Sequence, residues 1–379
     1  MGNNKVKLGR NDKCWCNSGL KYKKCHLGRD RETPVSKAEA LKFSKSLSQR
    51  KACYAPASMH EDCDKRIVQA HTISKSSSLK AIADSSNHVM GVIMNLASLM
   101  RNNGKWLPEK IGINQASTFT GFCAVHDRIL FSCLENEKFT GTDEQCFALM
   151  FRSLSKEIYA KEGGVLSSDF AKNADKGKLQ VEQYYIQKLI DQHQSGLNAA
   201  IIELNNLKTS LDRILLSRQF SEIESVIFTF AEPLPIVVSS ILSPERDFDG
   251  TKIQDLSDLT VSAEQVCFNA FSCGGKGYVV FSWLRTSTII RRFIRTLIKI
   301  PANRMFNTLL YFFFTKAENT YSSPEWWDRL SDKQRENIGN MIMSGVEFFG
   351  RPTSQVDHSV DYNAAALEEI TCSNNEICS

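Results

Sequence analysis

Gly9-Arg10-Asn11-Asp12-Lys13-Cys14-Trp15-Cys16-Asn17-Ser18-Gly19-Leu20-Lys21-Tyr22-Lys23-Lys24-Cys25-His26 is the most informative stretch of this 379-residue chain. Its ligand-type residues are spaced Cys-x-Cys, eight residues, then Cys-His. Three thiolates and an imidazole close a tetrahedral zinc shell with no open position. Asn17-Ser18-Gly19 supplies the sharp turn between the two halves, because Asn and Gly tolerate left-handed backbone angles. A segment this short has almost no core, so the metal supplies most of its folding energy. Cys14, Cys16, Cys25 and His26 are therefore expected to be zinc ligands in a knuckle spanning residues 1–28.

The same residues resemble the SEC-C motif, best known at the C-terminus of the preprotein translocase ATPase and found in many otherwise unrelated bacterial proteins. The Gly-Arg-Asn-Asp lead and the Lys-Tyr-Lys-Lys-Cys finish carry the resemblance, while Trp15 and Asn17 replace the usual Pro and Gly. The resemblance implies zinc binding and a docking role, without catalysis, over less than a tenth of the chain.

Working outward, residues 1–30 hold eight Lys and Arg against two Asp and Glu, whereas the whole chain carries a net charge of +5, so the remainder is close to neutral. A basic head on a neutral body points to an anionic partner: nucleic acid, a phospholipid surface or an acidic protein face. Residues 29–51 are charged, Ser-rich and contain Pro34, and read as a linker with one short basic helix from Ala38 to Leu47.

A second set of cysteines and histidines follows. Cys53, Cys63, Cys123 and His126 complete another four-ligand zinc set, with a long intervening loop that a treble-clef arrangement accommodates. Cys123 and His126 are about one helical turn apart, so both face one metal. His60, inside the Cys53–Cys63 loop, is a substitute ligand. His71 is left over, in Ala-His-Thr-Ile-Ser at a strand end. This stretch resembles the first histidine of HNH-type nucleases, whose ββα-metal core is often braced by such a zinc. The later Cys-x-x-His-Asp-x-x-x-Phe resembles that family's second motif. The resemblance implies that His71 deprotonates water and that Asp127, or His126 in place of its zinc role, holds a catalytic Mg²⁺ or Mn²⁺. Gln69-Ala70 stands where the family has an acidic residue. His88, His193 and His358 carry no functional signal.

Hydrophobic residues make up 42% and charged residues 23% of the chain, an ordinary globular balance. No apolar run reaches the length of a bilayer span. The nearest, Met305 to Thr315, is flanked by Arg304 and Lys316 and reads as a buried helix. The charged N-terminus lacks a signal-peptide pattern, and a cytoplasmic location is expected. Six of the twelve cysteines crowd the front third beside histidines, which favours metal binding over a disulfide framework. Cys133, Cys146, Cys267, Cys273, Cys372 and Cys378 are read as buried or free thiols.

Helical periodicity marks Asp143 to Ala160, and a longer segment from Lys178 to Arg218 that Gly196 is expected to break into a hairpin. Strands are expected at Ser225–Phe230, Ile236–Ile241, Gln265–Phe271 and Gly277–Leu284, with the glycine-rich 273–277 segment as a hairpin turn. Helices return at Thr286–Ile300, Asn303–Lys316 and Pro324–Phe349. The sequence thus describes an α+β protein: the knuckle, a treble-clef or HNH-like zinc module at 52–165, an α+β domain at 170–350 and a loose tail at 351–379. The leading functional expectation is a zinc protein acting on nucleic acid, an HNH-like endonuclease fitted to bacterial defence. The alternative is a non-enzymatic adaptor whose knuckle docks on a protein or membrane partner.

Overall fold

The computed structural model describes residues 8–93, 98, 101–258, 260–345, 355–362 and 365–378. It resolves into two compact units, residues 1–51 with 158–205, and residues 52–157 with 206–379.

The first unit holds the knuckle, the Lys37–Ser48 helix, and the facing parts of two long helices, Asp143–Ala171 and Gln180–Ser217. Ser36 and Glu39 form a capping box that starts the short helix. This helix packs on the first long helix by stacking Phe43 on Phe170, with ring centroids 4.1 Å apart. The long helices are antiparallel: Lys172 pairs with Asp191 at 3.0 Å and Gln194 donates to Asp169 at 2.7 Å. The expected break at Gly196 does not occur. The helix runs through it, since a helical glycine costs only about 1 kcal/mol and the surrounding leucines and isoleucines keep the period. The bend falls instead at the 3₁₀ turn Lys172–Asp175.

The second unit is built on an eight-stranded antiparallel sheet. Its strands are β2 (His88–Val92), β3 (Pro108–Gly112), β5 (Ile223–Phe230), β6 (Ile236–Leu242), β7 (Val266–Cys273), β8 (Lys276–Leu284), β9 (Thr320–Ser322) and β10 (Leu367–Cys372). The order is β10-β5-β8-β7-β6-β9-β2-β3. Alternate side chains leave opposite faces of a strand. Val226, Phe228 and Phe230 enter the large core beneath the helices Thr288–Ile298, Ala302–Lys316, Pro324–Arg329 and Asp332–Ser344, while Ile227 packs with Phe139, Cys146 and Leu149 on the other face. Both faces are covered, which is why β5 is buried throughout. Gly274 and Gly275, at φ 59° and 81°, make the two-residue β7–β8 turn expected of the glycine-rich segment.

Several expectations are revised. Pro324–Phe349 is not one helix: Leu330 is extended and Ser331 caps a new helix at Asp332, while 346–349 lies outside the described residues. The tail expected to be loose supplies the edge strand β10, and Cys372 is disulfide-bonded instead of a free thiol. Of the arginines in the Thr288–Ile298 helix, Arg292 and Arg295 are exposed and Arg291 is structural. Arg291 donates to the fully buried Glu224 at 2.9 and 3.1 Å, with Trp283 and Asn374 completing the carboxylate's partners. Burial opposes ionisation of Glu224, yet the Arg291 and Asn374 hydrogen bonds hold it below the usual range. Met305 to Thr315 lies in the buried Ala302–Lys316 helix, and no helix among the described residues is long and apolar enough to cross a membrane.

Candidate metal centres and the adjoining cleft

In the knuckle, the Cys14 and Leu20 backbones pair at 2.8 Å, and Asn17 and Gly19 take the left-handed angles of 57° and 74° that the turn needs. The 3₁₀ turn Tyr22–Lys24 then returns Cys25 and His26 to the first two cysteines. His26 Nδ1 lies 3.2 Å from Cys14 Sγ and 3.1 Å from Cys25 Sγ, and Cys16 Sγ lies 3.4 Å from Cys25 Sγ. All four donor atoms are within 4.8 Å of one another. A zinc tetrahedron of ordinary bond lengths has edges of about 3.5–3.8 Å, so metal entry needs only a small outward movement.

The donor chemistry fits the same ion. Burial pushes Cys14 up and Cys25 up to about 12, whereas hydrogen bonds from Ser18 and Cys25 outweigh burial and hold Cys16 below its ordinary value. Three crowded sulfurs cannot all ionise unless a cation replaces their protons. Behind the ligands, His26 Nε2 lies 2.8 Å from Asp175 Oδ2, a residue the sequence did not single out.

The second set is also assembled. Strand β1 (Ile67–His71) pairs antiparallel with β4 (Thr118–Cys123), and the Ala124–Leu130 helix follows directly. This is a ββα arrangement. The 52–54 segment runs beside β4, with Ala52 and Tyr54 donating to Thr120 O and Gly121 O, which carries Cys53 to Cys123. His126 Nδ1 lies 3.3 Å from both Cys53 Sγ and Cys123 Sγ, and Cys63 completes the group within the same 4.8 Å limit. Cys123 is the N-cap of the helix, its sulfur accepting from His126 N, where the helix dipole favours a thiolate. Burial and the neighbouring Cys63 nevertheless push its thiol up to about 11. His60 bonds Ala55 O instead and stays outside the set. His126 therefore joins the cysteines, and the reading that gives it to a catalytic ion is not favoured by its place in the fold.

Asp127, one residue on, lines a different space. A polar cleft of about 650 Å³ is bounded by His71, Lys75, Lys80, Asp127, Glu135 and Arg152, among others. The ββα geometry brings His71, at the end of β1, and Asp127, in the first turn of the helix, to this one cleft. His71 Nε2 donates to Ile113 O at 3.0 Å, leaving Nδ1 as the free acceptor. Burial lowers its pKa, so the ring is neutral near pH 7. Asp127 Oδ1 is buried without a hydrogen-bond partner, and burial raises the pKa of its carboxyl while Arg152 opposes that rise. Arg152, from the Asp143–Ala171 helix, is itself buried. It donates to Glu135 at 2.8 Å, lies 4.1 Å over the Phe131 ring, and keeps Nε unpartnered. Glu135 also accepts from Ser74 at 3.1 Å. Among the described residues, only the two Cys₃His groups bring three or more ligand atoms this close, so the cleft carboxylates do not form a third such cluster.

Residues 10–28 match the SEC-C motif, in agreement with the resemblance and with the Cys14, Cys16, Cys25 and His26 geometry. No curated protein and no solved structure matches the chain. The match covers the knuckle alone: the chain carries a SEC-C motif whose Cys14, Cys16, Cys25 and His26 donors, like the second Cys₃His group, are suited to binding zinc.

Proposed function

We propose that the ββα module is a divalent-metal-dependent phosphodiesterase acting on nucleic acid, braced by zinc at Cys53, Cys63, Cys123 and His126. The observation that carries this reading is the shared cleft of His71 and Asp127, reached from opposite arms of the ββα arrangement. His71, neutral and oriented through Ile113 O, is placed to take a proton from an attacking water at Nδ1. The new oxygen–phosphorus bond forms as the bond to the leaving sugar oxygen breaks, and that oxygen takes up a proton. Asp127, with Glu135 next to hand where Ala70 offers no carboxylate, would hold Mg²⁺ or Mn²⁺, which would supply charge neutralisation at the phosphorus. Arg152, Lys75 and Lys80 give the cleft positive charge for a phosphate. Bacterial defence against foreign DNA, in the cytoplasm, is the setting this reading fits.

The knuckle has a separate part. Its four donors leave no open coordination position, and Arg10, Lys13, Lys21, Lys23 and Lys24 are exposed. These features support docking on an anionic partner, as an adaptor surface in the same chain.

The deciding experiment incubates the full chain with plasmid, single-stranded DNA and RNA in Mg²⁺ or Mn²⁺. Cleavage is expected, lost in His71→Ala and in Asp127→Asn while zinc content and folding persist. Absence of cleavage of every nucleic acid by fully zinc-loaded protein would leave the adaptor role alone.

A further inference from the structure

We propose that Asp175 completes the knuckle's zinc site from outside the motif, so that metal binding at Cys14, Cys16, Cys25 and His26 and closure of the 172–187 bend are one event. The inference is independent of the phosphodiesterase reading.

The contact itself joins residues 149 positions apart: His26 Nε2 to Asp175 Oδ2 at 2.8 Å. His26 turns its other nitrogen, Nδ1, toward Cys14 and Cys25. A carboxylate accepting Nε2–H fixes the tautomer that leaves Nδ1 its lone pair, holds the ring plane, and strengthens the nitrogen as a ligand. Asp175 has no solvent exposure, and an unpaired carboxylate there would be costly. Its remaining partners come from the end of the knuckle and from the second long helix. Arg29 Nε donates to Oδ1 at 2.5 Å, and Gln187 Nε2 donates to Oδ2 at 2.7 Å.

Arg29 and Gln187 then converge a second time. Arg29 Nη2 and Gln187 Nε2 both donate to Lys172 O, at 3.1 and 2.8 Å, and Gly177 N–H donates to Arg29 O at 3.0 Å. Trp15 packs its ring 4.4 Å from His26 and 5.6 Å from Tyr184, closing the apolar side. The end of the knuckle and the bend between the long helices thus share one buried polar network with Asp175 at its centre. Loss of zinc frees His26 to turn, which strips Asp175 of one of its three donors. Loss of Asp175 frees the ring that must present Nδ1. Asp175 is a positioning residue, acting on the metal through His26.

The test uses the full chain loaded at both centres. Thiol alkylation is followed by peptide mass spectrometry, so the two cysteine sets report separately. In Asp175→Ala, Cys14, Cys16 and Cys25 should alkylate about 10–100-fold faster, the usual cost of losing a carboxylate behind a ligating histidine, with Cys53, Cys63 and Cys123 unchanged. Asp175→Asn keeps an acceptor without the charge and should fall between. In cadmium-substituted Asp175→Asn, one of the two cadmium resonances should shift, a signature that a packing role alone would not give. Reciprocally, Cys25→Ser should speed amide hydrogen exchange across 172–187. Wild-type alkylation in the Asn variant, or a 172–187 segment equally protected in Cys25→Ser, would overturn the proposal. If the Ala variant does not fold, those two measurements still decide it.

Discussion

His126 Nδ1 lies 3.3 Å from the sulfur of Cys53, a residue 73 positions earlier, while the adjacent Asp127 lines the cleft. One helical turn therefore carries both a donor of the second Cys₃His group and a residue of the candidate reaction site. Zinc bound by this group would hold that turn against the 52–54 segment, and with it the cleft's geometry.

Cys53→Ser should consequently remove one zinc per chain and lower stability by several kcal/mol, the scale seen when a structural metal is lost. Zinc analysis and thermal melting check this. Any nuclease activity should fall with the metal, because Asp127 is no longer held. A variant keeping two zincs would argue against Cys53 as a ligand.

The pH profile follows from His71. Burial lowers its pKa from the ordinary value, with the Ile113 carbonyl opposing, so the neutral base persists to lower pH than for a free histidine. Asp127, raised by burial, gains its proton at higher pH than a free aspartate. Cleavage should hold steady through neutrality and fall only below about pH 6.5, the ordinary histidine value. For stability the sign is the same: the unfolded chain takes up the histidine proton first, so His71 costs stability as pH falls through its unfolded and then its folded value. An acid limb centred above neutrality would rule out His71 as the base. His71→Ala should lower the rate about a hundred-fold or more, the usual range for general-base loss.

Two groups of cations should separate in nucleic-acid binding. Arg291→Ala leaves the buried Glu224 without its charged partner and should cost about 3–5 kcal/mol, with no change in the salt dependence of binding. Replacing Lys21, Lys23 and Lys24 by Ala should leave stability alone. Each of these lysines that neutralises a phosphate in the parent should, once removed, reduce the slope of log affinity against log salt by about 0.7–0.9. Denaturant melts and salt titrations read the two outcomes. Equal slopes in the Lys variant and the parent would remove the knuckle from nucleic-acid contact.

How much of this is legible in the sequence depends on distance along the chain. The knuckle closes over a few residues, so spacing and side-chain chemistry define it. The second set is legible by residue type, since Cys53, Cys63, Cys123 and His126 are soft ligands in a region with few others. The cleft is partly legible: His71 and Asp127 stand out, but their meeting depends on β1–β4 pairing across a long insertion. Arg152 looks like the solvent face of an amphipathic helix, although it is buried, over the Phe131 ring and bonded to Glu135. Asp175 gives no signal at all, because Ala-Asp-Lys-Gly reads as an ordinary turn until the long helices fold back around it. Strands β2, β3, β9 and β10 escape a sequence reading for a related reason. They are short and carry polar residues such as Glu368 and Glu369, so the large sheet defines them more than their own pattern does.

Metal content of the purified full chain, with the cysteines footprinted by alkylation, tests the account most directly. Two zincs per chain are expected, with Cys14, Cys16, Cys25, Cys53, Cys63 and Cys123 all protected until a chelator is added. A single zinc with Cys53, Cys63 and Cys123 freely alkylated, or none, would contradict the ββα centre on which the functional reading stands.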